Sequence, residues 1–217
     1  MARYEMIVFD WDGTLMDSAA LIAHAVQAAA RDLGLTPPSD ERARHIIGLG
    51  LQDALRHAVP ELSAEHYPAM AARYRHHYLS GDEGLALFPG AAELVRQLHA
   101  RGRTLAVATG KSREGLDRAL ESSGLGPFFH ATRCASECHS KPHPQMLEEL
   151  LEETGVAAGQ ALMIGDTTHD LQMAQNAGVD ALAVAYGAHP EAELRAAGPL
   201  HCVHSVDALC AWLNENT

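Results

Sequence analysis

Basic residues are scarce in this chain of 217 residues, where 16 Lys and Arg stand against 28 Asp and Glu for a formal charge of −12. Phosphate backbones are held by basic faces, so nucleic acid is not an expected partner. No apolar run approaches the ~20 residues that a membrane span requires, and Met1-Ala2-Arg3-Tyr4-Glu5 lacks a secretory pattern. The expectation is a soluble, cytoplasmic protein with no membrane partner. Cysteine is sparse as well, with only Cys134, Cys138, Cys202 and Cys210, which argues for a reducing compartment and against a disulfide framework. Cys134, Cys138, His139 and His143 lie close together, but their spacing matches no common C-x-x-C zinc pattern. The 14 histidines are scattered, without a paired zinc-protease arrangement, and most are expected at the surface. Strand signals are missing altogether between Asp17 and Leu79.

An apolar fraction of 47% with 20% charged residues marks a globular chain. Its length suits one substantial core plus an insertion, or two small domains. The run Met6-Ile7-Val8-Phe9 predicts a short buried strand. Helices are predicted from Ala19 to Leu33, with Asp17 or Ser18 as N-cap and Gly34 at the end, then after Ser39, and from about Leu51 to Val59. From Ser63 the positions Tyr67, Met70, Ala71, Tyr74 and Tyr78 recur every three or four residues, an amphipathic helix. Residues 17–82 therefore read as a helical subdomain, with Ser80 to Gly84 as a linker or hinge.

After Phe88-Pro89-Gly90 the rhythm changes to helix and strand in alternation, which builds a doubly wound, mostly parallel α/β sheet with helices on both faces. Strands are predicted at Arg103 to Thr109, His130 to Cys134, Ala161 to Ile164, Ala181 to Tyr186 and, at an edge, Cys202-Val203. Helices follow Ala91, Ser112, Pro144, Thr168, Glu191 and Ser205. Residues 1–16 and 83–217 are thus assigned to the α/β core and 17–82 to the insertion.

Ligands of an open α/β sheet sit outside the carboxyl ends of its strands. Asp10 and Asp12 follow the first strand directly, and residues two apart on an extended chain face the same way. Carboxylates this close repel, an arrangement that makes sense around a divalent cation or a shared proton. Gly13 then lets the chain turn away. The strand ending at Thr109 delivers Thr109-Gly110-Lys111-Ser112-Arg113 at a helix amino terminus, where free N–H groups favour an anion. Lys141, with the backbone beyond it stiffened by Pro142 and Pro144, is an ammonium that can neutralise a transferring phosphoryl group. Gly165-Asp166-Thr167-Thr168-His169-Asp170 adds two more carboxylates at a strand end, and such hard oxygen donors suit Mg²⁺.

The motifs D-W-D-G-T, the threonine after the second core strand, K-P-H-P and G-D-T-T-H-D occur in the order found in haloacid dehalogenase superfamily phosphohydrolases, and the chain resembles that family over nearly its whole length. It is most similar to the phosphoglycolate phosphatase branch, with Ile46-Ile47-Gly48-Leu49-Gly50 like the cap segment set against substrate there. The resemblance implies Asp10 as nucleophile, Asp12 as general acid and then base, and Thr109 and Lys141 holding the phosphoryl group. It further implies Mg²⁺ on Asp10, the Asp12 carbonyl and Asp166, with Asp170 behind them and Thr14 ordering the turn. Gly110 departs from the asparagine of many members; since the backbone amide is the usual phosphate ligand, little loss is expected. Gly48 is expected to approach a small phosphorylated metabolite, phosphoglycolate first. Lys111, Arg113 and Arg44 stay open between substrate contact and solvated surface, as does the choice of monomer or homodimer. The rivals are a phosphomutase of the same superfamily and a phospho-aspartate receiver module, which would keep its phosphate instead of turning it over.

Overall fold

Met6–Phe9 forms strand β1, and all four of its side chains are buried because it lies inside a sheet covered on both faces. The computed structural model describes residues 3–217, the side chain of Glu83 excepted; Met1 and Ala2, assigned to the core by the sequence reading, lie outside the described residues. The other strands are β2 (Thr104–Thr109), β3 (Ala131–Cys134), β4 (Ala161–Gly165), β5 (Asp180–Val184) and β6 (His201–Val203). Their order is β3-β2-β1-β4-β5-β6 and every pairing is parallel. Strand order reverses at β1, and a crevice opens at the carboxyl ends at such a point.

Alternation along the strands divides the interior in two. Ile7, Phe9, Leu105, Val107, Leu162 and Ile164 face one apolar cluster, while Met6, Val8, Ala106, Ala108, Ala161 and Met163 face another. Helices α5 (Ala91–Ala100) and α10 (Val206–Asn216) cover the first face; α7 (Gln145–Thr154) and α8 (Thr168–Asn176) cover the second. Helix α6 (Arg113–Ser123) begins after β2, and α9 (Glu191–Ala196) packs beside β6.

Between Met16 and Leu87 the chain makes α1 (Ala19–Asp32), α2 (Asp40–His45), α3 (Leu51–Ala58) and α4 (Tyr67–Gly81). These share an apolar cluster of their own around Ile22, Val26, Ile47, Leu55 and Met70. The chain leaves and returns side by side: Met16 bridges Leu87 antiparallel, and the Asp17 N–H donates to the Ala86 carbonyl at 3.0 Å.

Helix ends follow local chemistry. The Ser39, Ser112 and Ser205 hydroxyls each accept a first-turn amide, and Thr167 forms a capping box with Asp170. Ser18 sits at the N-cap of α1 but makes no capping bond. In the segment Ser80 to Gly84, read from the sequence as a linker or hinge, α4 runs through Gly81 and a 3-10 turn, Asp82–Gly84, follows. A Cβ at Gly81 would stand 2.5 Å from Leu21 Cδ1, so the glycine serves close approach of α4 to α1. Strand β5 stops at Val184, short of the expected Tyr186, whose hydroxyl instead donates to the Thr14 carbonyl at 3.1 Å. Helix α10 runs past Trp212 to Asn216. Among the described residues no helix is long and apolar enough to cross a membrane, and the four cysteines are free thiols.

Leu55 is fully buried in the cluster of α1 to α4, so Leu55→Ala is expected to cost about 2–5 kcal/mol. Because that cluster is separate from the two sheet faces, amide exchange should quicken in α1 to α4 before it does in β1 and β4. Simultaneous loss of protection throughout would refute that independence.

Candidate active site

Asp10 leaves β1 and Asp166 leaves β4, and the pairing of Phe9 with Ile164 sets these two strand ends side by side. Asp170 comes from the first turn of α8, and Lys141 from the loop before α7. All four side chains are buried. The Lys141 ammonium donates to Asp10 Oδ1 at 2.7 Å and to Asp170 Oδ1 at 2.6 Å. Asp170 Oδ2 accepts from the Thr167 N–H and hydroxyl, so the capping box of α8 also aims the oxygen that holds Lys141. Asp166 is held on the other side by the Thr14 hydroxyl, which donates to Oδ1 at 2.9 Å, and by the Ala188 N–H, which donates to Oδ2 at 2.7 Å. Gly13, at φ +83°, and Gly187 leave the room that this carboxylate fills: a Cβ at either would collide with Asp166.

The electrostatics of this group are unbalanced. Three carboxylates face one ammonium, so ionising all of them would leave two negative charges uncompensated. Burial raises the Asp10 carboxyl against the pull of Lys141, with Asp170 adding to the rise. Burial raises Asp166 still more clearly, reinforced by Asp10 and Asp170. Burial alone would lower the Lys141 ammonium, but Asp10 and Asp170 outweigh it and raise it. Asp10 Oδ2 is buried with no hydrogen-bond partner in the protein, and a buried acceptor of this kind is one that a bound cation or water would satisfy. Carboxylates of Asp10, Asp166 and Asp170 lie close enough together to share one ion. The donor set, the charge and the orphaned oxygen all fit a hard divalent cation.

Asp12 points elsewhere. Its Oδ1 accepts from the Ser18 hydroxyl at 2.7 Å and pairs with the Lys111 ammonium at 3.0 Å. Lys111 in turn donates to the Tyr78 hydroxyl at 2.9 Å. Burial would lower the Lys111 pKa, but Asp12 and Tyr78 outweigh it and raise it; burial pushes the Tyr78 phenol up to about 12. Lys111, left open by the sequence, thus joins Asp12 to helix α4. Arg113 is tied to Glu137, Asp117 and Thr132. Thr109 is buried at the end of β2, its hydroxyl accepting from the Lys111 N–H at 3.2 Å.

The loop after α2 lies directly on this floor. A Cβ at Gly110 would stand 2.5 Å from the Leu49 carbonyl oxygen and 2.6 Å from that of Gly48. Gly48, at φ +91°, sits against Thr167, where a Cβ would meet Oγ1 at 3.1 Å. The Gly50 N–H donates to Ser140 Oγ at 2.8 Å. The His45 carbonyl accepts from His169 Nε2 at 2.8 Å, and His189 Nε2 lies 3.2 Å from both that oxygen and His45 Nδ1. Burial, with His169 and His45 close by, pushes His189 down to about 4. Three histidines expected among scattered surface residues therefore meet at one seam, brought together only by tertiary structure. The seam encloses a cavity of about 330 Å³ that reaches Asp12, Gly48, Gly110 and Lys111, and a more open one of about 650 Å³ that reaches Lys141. Arg44 lines neither of them.

Fold and site together define a doubly wound α/β protein with a helical insertion and a buried acidic cluster at the carboxyl ends of its strands. More specifically, residues 7–184 match the haloacid dehalogenase-like hydrolases, and the chain belongs to that family. It is 39% identical over 202 residues to the "probable phosphatase IndB" of Dickeya dadantii, covering 89% of this chain and 86% of that one. It is 35% identical over 192 residues to a phosphoglycolate phosphatase of Aliivibrio fischeri, covering 84% of this chain and 85% of that one. A solved structure, titled as a predicted phosphoglycolate phosphatase from Haemophilus somnus, matches with a TM-score of 0.81 at 26% identity, over 96% of this chain and 98% of that one.

Gly110 is the departure that the geometry explains, because the carbonyls of Gly48 and Leu49 occupy the space a side chain would need. Its φ is not positive, so Gly110→Ala tests close approach without backbone strain. The substitution is expected to cost about 1–3 kcal/mol of overpacking and to speed amide exchange at Gly50 as the loop lifts from Ser140. Unchanged exchange at Gly50 would show that the loop does not depend on that contact.

Proposed function

We propose that this hydrolase is a Mg²⁺-dependent phosphatase of small phosphate monoesters that works through an aspartyl-phosphate on Asp10. The observation that carries the reading is the buried Asp10, in contact with Lys141, beside Asp166 and with one oxygen unpartnered. Mg²⁺ would be held by the Asp10 and Asp166 carboxylates and the Asp12 carbonyl, with Asp170 behind Lys141; when bound it supplies positive charge against the phosphoryl oxygens.

Asp10 attacks phosphorus, an acyl-phosphate bond forms and the ester P–O bond breaks. Asp12 gives its proton to the leaving oxygen, then takes one from the water that attacks the phospho-aspartate, releasing inorganic phosphate and free Asp10. Ser18 and Lys111 both address Asp12 Oδ1, which leaves Oδ2 for this exchange. Lys141 fixes the orientation of Asp10 and neutralises charge on the transferring group, while Thr109 and the Gly110 amide hold its oxygens. Residues 17–82 act as a cap over residues 1–16 and 83–217, with Gly48 in the loop that closes on the phosphate floor. Closure keeps bulk water from the reacting atoms. Phosphoglycolate, named in the A. fischeri relative, is the reference substrate.

Asp10→Asn is expected to fold and to lose essentially all turnover, since an amide is a poor nucleophile; excess chelator should silence the parent. Substantial activity in either case rules out the mechanism. Asp12→Asn keeps the nucleophile and loses the proton donor, a loss of ~10²–10⁴ in rate. Its defect should shrink for nitrophenyl phosphate, whose leaving group needs no proton. An equal defect for alkyl and aryl esters would remove Asp12 from the role of acid.

A further inference from the structure

Three histidines that the phosphatase reading leaves unused converge at the seam. His45 ends α2 in the insertion, His169 stands in the first turn of α8 and His189 follows β5. Their ring centres are 4.5, 5.1 and 5.7 Å apart, and each offers one ring nitrogen to a group whose members all lie within 4.8 Å of one another. His45 Nδ1 is 3.2 Å from His189 Nε2. The His45 carbonyl oxygen is 2.8 Å from His169 Nε2 and 3.2 Å from His189 Nε2. A tetrahedral ion with bonds of about 2.0–2.2 Å to nitrogen and oxygen sets its ligand atoms about 3.3–3.5 Å apart. Three imidazole nitrogens and one carbonyl oxygen are thus gathered near the spacing that one such ion imposes.

The surroundings suit a ligand role. While His189 Nε2 carries a proton, its Nδ1 accepts from the Thr168 N–H at 3.1 Å. An ion on Nε2 would shift that proton to Nδ1, where the Thr168 hydroxyl lies 3.2 Å away to accept it. Ligating histidines donate their other ring N–H to an oxygen in this way. His189 is buried, His169 half-buried and His45 exposed, and the latter two line the open cavity of about 650 Å³, which gives an ion a route in. Imidazole suits zinc and its neighbours, whereas carboxylates suit magnesium, so this group differs in kind from the Asp10, Asp166 and Asp170 cluster. From this geometry we propose that His45, His169 and His189 form a second metal site, for an ion of the Zn²⁺ class, that ties the insertion to the core. One ligand comes from the insertion and two from the core, so the bound ion is a cross-link over the seam. Holding the end of α2 also holds the 46–50 loop that follows it, and opening of the cap is opposed.

Co²⁺ is the probe, because tetrahedral Co²⁺ absorbs visible light strongly and octahedral Co²⁺ on carboxylates and water does so weakly. The full chain is titrated with Co²⁺ in excess Mg²⁺, which occupies the carboxylate cluster. The expected result is a visible band that saturates at one equivalent and is abolished by Zn²⁺. His45→Ala and His169→Asn should each weaken Co²⁺ binding about a hundredfold or more, since even the outer partners of a ligand are worth about 10–100-fold. His143→Ala, which breaks another close histidine pair, should leave the band intact. Zn²⁺ should also slow amide exchange at Gly50 in the parent and not in His45→Ala. No band, or a band that survives His45→Ala or falls with His143→Ala, overturns the site. A band lost as expected while Gly50 exchange ignores Zn²⁺ overturns the tie between insertion and core. Melting temperatures check folding, and if His169→Asn does not fold, the exposed His45 decides. None of these readings depends on turnover, so the phosphatase reading is tested separately.

Discussion

The contact on which the site depends is the Lys141 ammonium buried between Asp10 and Asp170. A charge taken out of water is costly, and its removal from a pair strands the partner. Here the pair is supported from three chain segments: the end of β1, the loop before α7 and the first turn of α8. Each constrains the others, since Asp170 caps α8 through Thr167 with one oxygen and holds Lys141 with the other. The remaining excess of negative charge is what the parallel pairing of β1 with β4 concentrates at one point. Such a concentration is unfavourable for the metal-free fold and is the feature that prepares the site for a cation.

A second, separate ion pair links the chemistry to the helical insertion. Asp12 is addressed by Ser18, where the chain enters the insertion, and by Lys111, which also grips Tyr78 on α4. Movement of α4 would therefore alter the surroundings of Asp12 while leaving Asp10, Lys141 and Asp166 in place. The strong contacts of the core and the looser contacts of the seam divide the labour physically. Under the proposed mechanism, one set would fix where phosphorus reacts and the other what surrounds the departing oxygen.

Much of this was legible in the sequence because it is local. Apolar runs of four to six residues became strands, Ser39 became a cap, and the strand-end carboxylates Asp10 and Asp166 met. Asp12 illustrates the limit. Period-two alternation places it on the same side of the strand end as Asp10, yet its carboxylate turns to Ser18 and Lys111 once Gly13 bends the chain. Ser18 was legible as a helix cap, and its hydroxyl was diverted to Asp12 because a buried carboxylate is the stronger acceptor. Tyr78 read as one apolar position of an amphipathic helix, and nothing along the chain reveals that its hydroxyl meets Lys111. His45, His169 and His189 are far apart in sequence and share no spacing pattern, so only the docking of the loop on α8 reveals them.

Gly110 shows how a local departure can be decided from a distance. Read along the chain, it is a residue whose side chain is dispensable because its amide is the useful group. In the folded protein the side chain is excluded, because the carbonyls of Gly48 and Leu49 come within 2.5–2.6 Å of where a Cβ would be. Two glycines, one on each side of the seam, let two backbones approach more closely than side chains permit. That approach leaves little room above Gly110 itself. The free volume of the seam is divided instead, one cavity of about 330 Å³ lying beside Tyr74 and Tyr78 and a more open one of about 650 Å³ reaching Lys141. Space is thus withheld at Gly110, where two backbones meet, and left open at Asp12 and Lys111 in one direction and at Lys141 in the other.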